Sequence, residues 1–169
     1  MLIYLIGFMG SGKTVVGKEL RRLTSYPLID MDEEIVHREK RSVNDIFKEE
    51  GEGYFRNMET EVLRDLSNRD IAIISCGGGV PLREENRDIM KSSGKVFFLS
   101  AAPMDIETRL NRDNTRPLLN EKKSLEYITE MMEKRRPSYV AAADHIIDTD
   151  NSLTPSDVAN KILRILWHI

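Results

Sequence analysis

One octapeptide, Gly7-Phe8-Met9-Gly10-Ser11-Gly12-Lys13-Thr14, limits what this chain can fold into more than any other stretch. It satisfies the phosphate-loop pattern G-x-x-x-x-G-K-[ST] at every fixed position. An accidental match in a chain of this length is expected roughly once in a few hundred sequences. Leu2 to Ile6 before it is an apolar run suited to a buried parallel strand. Val16, Leu20 and Leu23 after it recur at helical spacing, which predicts a helix from near Lys13. Strand, glycine loop and helix together make an anion cradle. Backbone N–H groups curl around a phosphate where no Cβ intrudes, and the helix N-terminus adds its free donors and dipole. The candidate nucleotide-binding residues are Gly10, Ser11, Gly12, Lys13, Thr14 and Val15. Lys13 would reach the β- and γ-phosphates and the Thr14 hydroxyl would hold Mg²⁺. A plain glycine-rich turn explains the glycines, but Lys-Thr directly after the last of them serves nothing in such a turn.

At 169 residues the chain reads as one domain, 1–169. Charged residues at 31% indicate a soluble globular protein, and a net charge of −3 disfavours broad nucleic-acid binding. The single cysteine, Cys76, excludes an internal disulfide and a Cys-rich zinc site. His37, His145 and His168 are scattered and do not read as a metal cluster. The apolar start runs straight into the phosphate loop, so no signal peptide is expected, and no stretch reaches membrane-spanning length. The expectation is a cytoplasmic monomer without nucleic-acid or membrane partners.

Tyr26-Pro27 breaks the first helix, and Leu28-Ile29-Asp30 reads as a short second strand. Asp30-Met31-Asp32-Glu33-Glu34 follows, with a helix beginning at Ile35 and Val36. Two readings of these acids stay open. Two aspartates flanking one residue point to the same side of an extended backbone. Acids at a helix start are also favoured by the dipole alone. Val43 to Leu66 is predicted helical, with a break at Gly51-Glu52-Gly53. Arg56, beside Phe55, reads by itself as a surface charge. Ile71 to Ser75 is the clearest buried strand, followed by Cys76-Gly77-Gly78-Gly79. Three glycines at a strand's carboxyl end admit a ligand closely; a flexible turn is the other reading. Many phosphate-loop proteins carry a metal-directing Asp at such a strand end. This strand ends in Ser75, and Asp30 is the natural substitute.

A helix is predicted over 83–91, then a strand Lys95 to Leu99 and a helix from Pro103. The polar stretch Asn111 to Pro117 is expected to interrupt regular structure, in a mobile lid over about 111–123. A helix from Leu125 runs through Arg136, and Pro137 is expected to kink or end it. Asp144 to Asp148 is the last strand, and Pro155 opens a final helix. Strand alternates with helix throughout, which implies a five-stranded parallel sheet covered on both faces.

Taken together these stretches resemble the shikimate kinases, of the nucleoside-monophosphate-kinase-like group. The carriers are Gly7 to Thr14, Asp30-Met31-Asp32, and Asp45-Ile46-Phe47 through Gly51-Glu52 to Phe55-Arg56 and Glu59. Gly77-Gly78-Gly79, Arg116-Pro117-Leu118-Leu119, and Arg135 four residues before Tyr139 complete the match. The resemblance implies a three-layer P-loop kinase fold with strand order 2-3-1-4-5. It implies transfer of the γ-phosphate of ATP to the 3-hydroxyl of shikimate, in chorismate and aromatic amino-acid biosynthesis. Asp32, Arg56, Gly78 and Arg135 would hold shikimate, with Gly77 and Gly79 beside them, and a shikimate-binding segment of about 31–60 would carry Asp32 and Arg56. Lys13, Asp32 and Arg116 would be catalytic, and Arg109 and Pro155 would flank the adenine. Thr14 would bind Mg²⁺ directly and Asp30 through water. Where some relatives carry an arginine before the adenine-loop proline, this chain has Leu153 and Thr154.

The chemistry suits those roles. Arginine pairs bidentately with a carboxylate, so Arg56 and Arg135 fit the acid end. Phosphoryl transfer needs mainly positioning and charge stabilisation, which Lys13, Mg²⁺ and Arg116 would supply. Two other readings use fewer of these residues. A gluconate or nucleotide kinase shares the loop without needing the set Asp32, Arg56, Gly78 and Arg135. A non-catalytic nucleotide-binding module would lack the acceptor pocket.

Overall fold

In the first strand, Leu2, Tyr4 and Ile6 turn to one face of the sheet and Ile3 and Leu5 to the other, and both sets are fully buried. A strand covered on both faces must be apolar at every position, which is why this stretch shows no alternation. The computed structural model describes residues 1–112 and 124–168. Its elements are β1 (Leu2–Ile6), α1 (Lys13–Thr24), β2 (Leu28–Asp30), α2 (Met31–Glu39), α3 (Val43–Glu50), α4 (Glu52–Leu66) and β3 (Ala72–Ser75). A 3₁₀ turn (Val80–Leu82), α5 (Glu84–Ser93), β4 (Lys95–Ser100), α6 (Pro103–Arg112), α7 (Leu125–Ala142), β5 (His145–Asp148) and α8 (Pro155–Trp167) follow. The strands form one parallel sheet in the order β2-β3-β1-β4-β5. One core layer packs Val16 and Leu20 of α1 and Val158 and Ile162 of α8 against Ile3, Leu5, Phe97 and Leu99. The other packs Met31, Ile35, Ile46, Phe55, Ile128 and Tyr139 against Tyr4, Ile6, Ile74 and Phe98. Each large apolar side chain so buried contributes about 1.5–3 kcal/mol relative to exposure.

Three local expectations change. The second helix starts at Met31, not Ile35, because the Asp30 carboxylate caps it, accepting from the N–H groups of Asp32 (2.9 Å) and Glu33 (3.2 Å). Asp30 and Asp32 therefore do not share an extended strand. Pro137 lies inside α7, which runs on to Ala142. Proline costs one N–H and crowds one carbonyl behind it. Burial of Ile128 before it and of Tyr139 and Ala142 after it holds both halves on the same face of the sheet. Asn111 and Arg112 are the last residues of α6; the rest of the expected lid lies outside the described residues. The expected break at Gly51 is present, where φ is 86° and α3 ends as α4 begins. Arg41 ties these helices together. It donates to Glu39 (2.8 Å) and Glu49 (2.6 Å), while Tyr54 donates to Glu39 (2.6 Å).

Candidate active site

The phosphate loop sits at the carboxyl end of β1. Gly12 caps α1 at φ 99°, in the left-handed region that favours glycine. No side chain caps α1 and its first turn carries no acid, so its orphan N–H groups stay available for an anion. Lys13 Nζ folds back across the loop and donates to the carbonyls of Gly7 (2.8 Å) and Phe8 (3.1 Å). A cavity of about 230 Å³ opens here. Gly10, Gly12, Lys13, Thr14 and Val15 line one side, and Asp30, Asp32, Gly77 and Gly78 the other. Ser11 is buried beneath it.

The aspartates reach this cavity by unequal routes. Asp30 is the last strand residue and a helix cap, and its Oδ1 is committed to α2. Asp32 stands in the first turn of α2. Among the described residues no three His, Cys, Asp or Glu side chains converge into a metal cage. Thr14 and Asp30 lining one cavity fit a hard cation that draws its remaining ligands from phosphate and water, as Mg²⁺ does.

A second cavity of about 580 Å³ adjoins the first, with Arg56, Arg135 and all three glycines of the triplet in its wall. The triplet runs between the two guanidinium groups. A Cβ on Gly79 would lie 2.0 Å from Arg56 Nη1, and one on Gly78 would lie 3.2 Å from Arg135 Nη1. A side chain at 79 would displace the Arg56 guanidinium from its place. Arg56 is ion-paired with Glu59 and, at 3.3 Å, with Glu52, and lies 5.7 Å from the Phe55 ring. Arg135 stands 5.7 Å over the ring of Phe8, a phosphate-loop residue. The reading of Arg56 as a surface charge gives way here, since its side chain is 16% exposed.

Glu59 is the site residue whose environment the sequence did not reveal. It is 1% exposed, its Oε1 accepts from Arg56, and its Oε2 has no hydrogen-bond partner among the described residues. Burial pushes its carboxyl up to about 7, with Arg56 pulling the other way. Its spacing of three from Arg56 on a predicted helix was the available signal. Cys76 is buried at the cavity floor, and burial pushes its thiol up, away from the reactive thiolate.

A third cavity, about 250 Å³, lies on the far side of the loop between Arg109 and Pro155. Arg109 donates to the carbonyls of Gly10 (3.0 Å) and Thr149 (3.3 Å) and to Asn151 Oδ1 (3.2 Å). It thus straps the phosphate loop to the loop after β5. Asn151 in turn donates to Asp105 at 2.6 Å, a support the sequence did not point to. Arg116 lies outside the described residues.

The family model described as shikimate kinase matches residues 9–167. A shikimate kinase of Enterococcus faecalis is 40% identical over 166 residues, 97% of either chain. A bifunctional shikimate kinase/3-dehydroquinate synthase of Thermotoga maritima is 47% identical over 139 residues, 82% of this chain and 27% of that one. The shikimate kinase of Acinetobacter baumannii, solved in complex with shikimate, superposes with a TM-score of 0.92 at 35% identity, covering 99% of this chain and 93% of the other.

Proposed function

The chain belongs to the shikimate kinase family, and from that membership we propose how its residues divide the reaction. The enzyme transfers the γ-phosphoryl group of ATP to the 3-hydroxyl of shikimate, a step in chorismate and aromatic amino-acid biosynthesis. One observation carries the assignment of residues. The phosphate cavity and the acid-side cavity share Thr14, Asp30, Asp32, Gly77 and Gly78, so donor and acceptor can meet over one floor.

Arg56 and Arg135 take the substrate carboxylate from either side of the triplet, with Gly77, Gly78 and Gly79 leaving the ring room to approach. Asp32 accepts from the ring hydroxyls and orients the attacking oxygen. Lys13 and the N–H groups of Gly10 to Val15 stabilise charge on the transferring phosphoryl group. Thr14 directly, and Asp30 through water, would hold Mg²⁺, which neutralises charge on the β- and γ-phosphate oxygens when bound. Arg109 and Pro155 grip the base. Arg116, outside the described residues, would add charge at the transferring phosphate. Cytoplasmic residence, a monomeric state and the lack of nucleic-acid or membrane partners are part of the proposal. No described helix is long and apolar enough to cross a membrane.

An ATP-coupled assay against shikimate, quinate, gluconate and nucleoside monophosphates tests the reading. Shikimate is expected to turn over far faster than the rest. Turnover of gluconate or a nucleoside monophosphate in preference to shikimate would overturn it.

A further inference from the structure

Glu59 lies in the wall of the acid-side cavity, yet solvent reaches only 1% of it. Its Oε1 accepts from Arg56, and its Oε2 is buried without a hydrogen-bond partner among the described residues. A Cβ placed on Gly77 would lie 3.0 Å from Glu59 Oε2 and 2.9 Å from Asp32 Oδ1. The two acids therefore face one another across the first glycine of the triplet. Other titratable and charged groups surround Glu59 on every side. They are Arg56 and, behind it, Glu52 on α4, Asp32 on α2, Cys76 after β3, and Arg135 and Tyr139 on α7. Burial and Asp32 oppose the ionised form of Glu59; Arg56 and Arg135 favour it.

We propose that Glu59 takes a proton from solvent when shikimate binds, and that the neutral carboxyl, donating from Oε2 toward Asp32, positions Asp32 for the substrate hydroxyls. The proposal rests on the reading that Arg56 and Arg135 hold the substrate carboxylate. The driving force is electrostatic. A second carboxylate at these arginines draws on the positive charge that keeps Glu59 ionised, and the ring displaces water from the cavity. Both changes favour the neutral acid. One proton is added at Oε2 and no other bond changes. A buried oxygen without a hydrogen-bond partner among the described residues becomes a donor, and the acid facing it across Gly77 is Asp32. The carboxyl of the free site, pushed up to about 7, titrates where this exchange matters. Glu59 is thus a positioning residue, acting through Asp32.

Calorimetric titration of shikimate into the full chain, in buffers of different ionisation enthalpy, counts the protons exchanged. Wild type is expected to take up about a third of a proton or more per shikimate near pH 7.5, with affinity falling several-fold as pH rises further. Glu59→Gln is expected to bind shikimate with no proton uptake and a flat pH profile. Clear binding heat with no uptake in wild type, or undiminished uptake in Glu59→Gln, would overturn the proposal and leave the substrate reading intact. If shikimate gave no binding, or its carboxamide analogue bound as well, the substrate reading would fall and this proposal with it. Should Glu59→Gln not fold, infrared difference spectra of wild type decide the point. A protonated-carboxyl band must appear on adding shikimate, and its absence overturns the proposal.

Discussion

Tyr139 donates its hydroxyl to the carbonyl of Gly78 at 2.8 Å. The contact joins the last turn of α7 to the glycine triplet, and the ring is held 5.1 Å from Phe98. Tyr139→Phe keeps the ring and deletes the donor. It is expected to cost about 1 kcal/mol of stability and to raise KM for shikimate more than it lowers kcat, because Gly78 loses its tether. Urea denaturation and steady-state kinetics check both; if neither changes, the contact is inert.

Lys13→Ala should leave the fold nearly unchanged and remove most activity. Losing one preorganised charge contact at the transferring group costs on the order of 3 kcal/mol, roughly 100-fold in turnover. Lys13 also bridges the carbonyls of Gly7 and Phe8, so a small drop in melting temperature is expected. Normal turnover would refute the role given to Lys13.

The cap made by Asp30 separates two of its roles. Asp30→Asn can still cap α2 and should raise the Mg²⁺ concentration needed for half-maximal rate. Asp30→Ala should show the same shift plus a loss of about 1 kcal/mol in stability, as expected for a lost N-cap. Asp32→Asn should damage use of shikimate and spare ATP affinity. Titrations showing the opposite pattern for Asp32 would reverse the assignment.

Arg56→Ala and Arg135→Ala should each weaken shikimate binding, with lysine rescuing only in part because an ammonium cannot form the planar two-bond contact. A carboxamide analogue should bind wild type poorly and be nearly blind to both substitutions. Equal mutational losses for acid and amide would show that these arginines serve the fold instead.

Glu59 also makes a pH prediction for stability. Its carboxyl rises from the ordinary 4.5 to about 7 on folding, so between those values the folded state holds a proton that the unfolded chain has lost. The stability tied to this group is fully present below about pH 4.5 and is lost as pH rises through about 7. Glu59→Gln keeps an acceptor for Arg56 and carries no such loss. The gap between variant and wild type in urea midpoint should therefore widen in favour of the variant from pH 5 to pH 8. A constant gap would show that the carboxyl is not held neutral by burial.

The phosphate loop was legible because its function and its spelling are the same fact. Glycines at fixed positions, then Lys13 and Thr14, describe a local backbone shape that needs no distant partner. Strands β1, β3 and β4 were legible because burial on both faces leaves an unbroken apolar run. The start of α2 was misjudged because the Asp30 cap is a local hydrogen bond that apolar periodicity does not record. Pro137 does not end α7, because its penalty is local while the burial that outweighs it is not.

The sequence alone determined the parallel sheet and the loop at its centre, which rest on local backbone preferences and on which face of each element is apolar. The chemistry expected of the arginines and the triplet came from their resemblance to a family pattern, since Arg56 by itself reads as a surface charge. Only the tertiary structure decided which side chains meet. Arg109 reaches Gly10 from 99 residues away. Arg135 comes to rest over Phe8, and the Arg56 guanidinium occupies the space beside Gly79. The burial of Glu59 beside Asp32 depends on α2, α4 and the triplet packing at once. Periodicity states that a face is buried but not against what. The partner, and with it the charge state of a buried acid, is set when all the elements close on one core together.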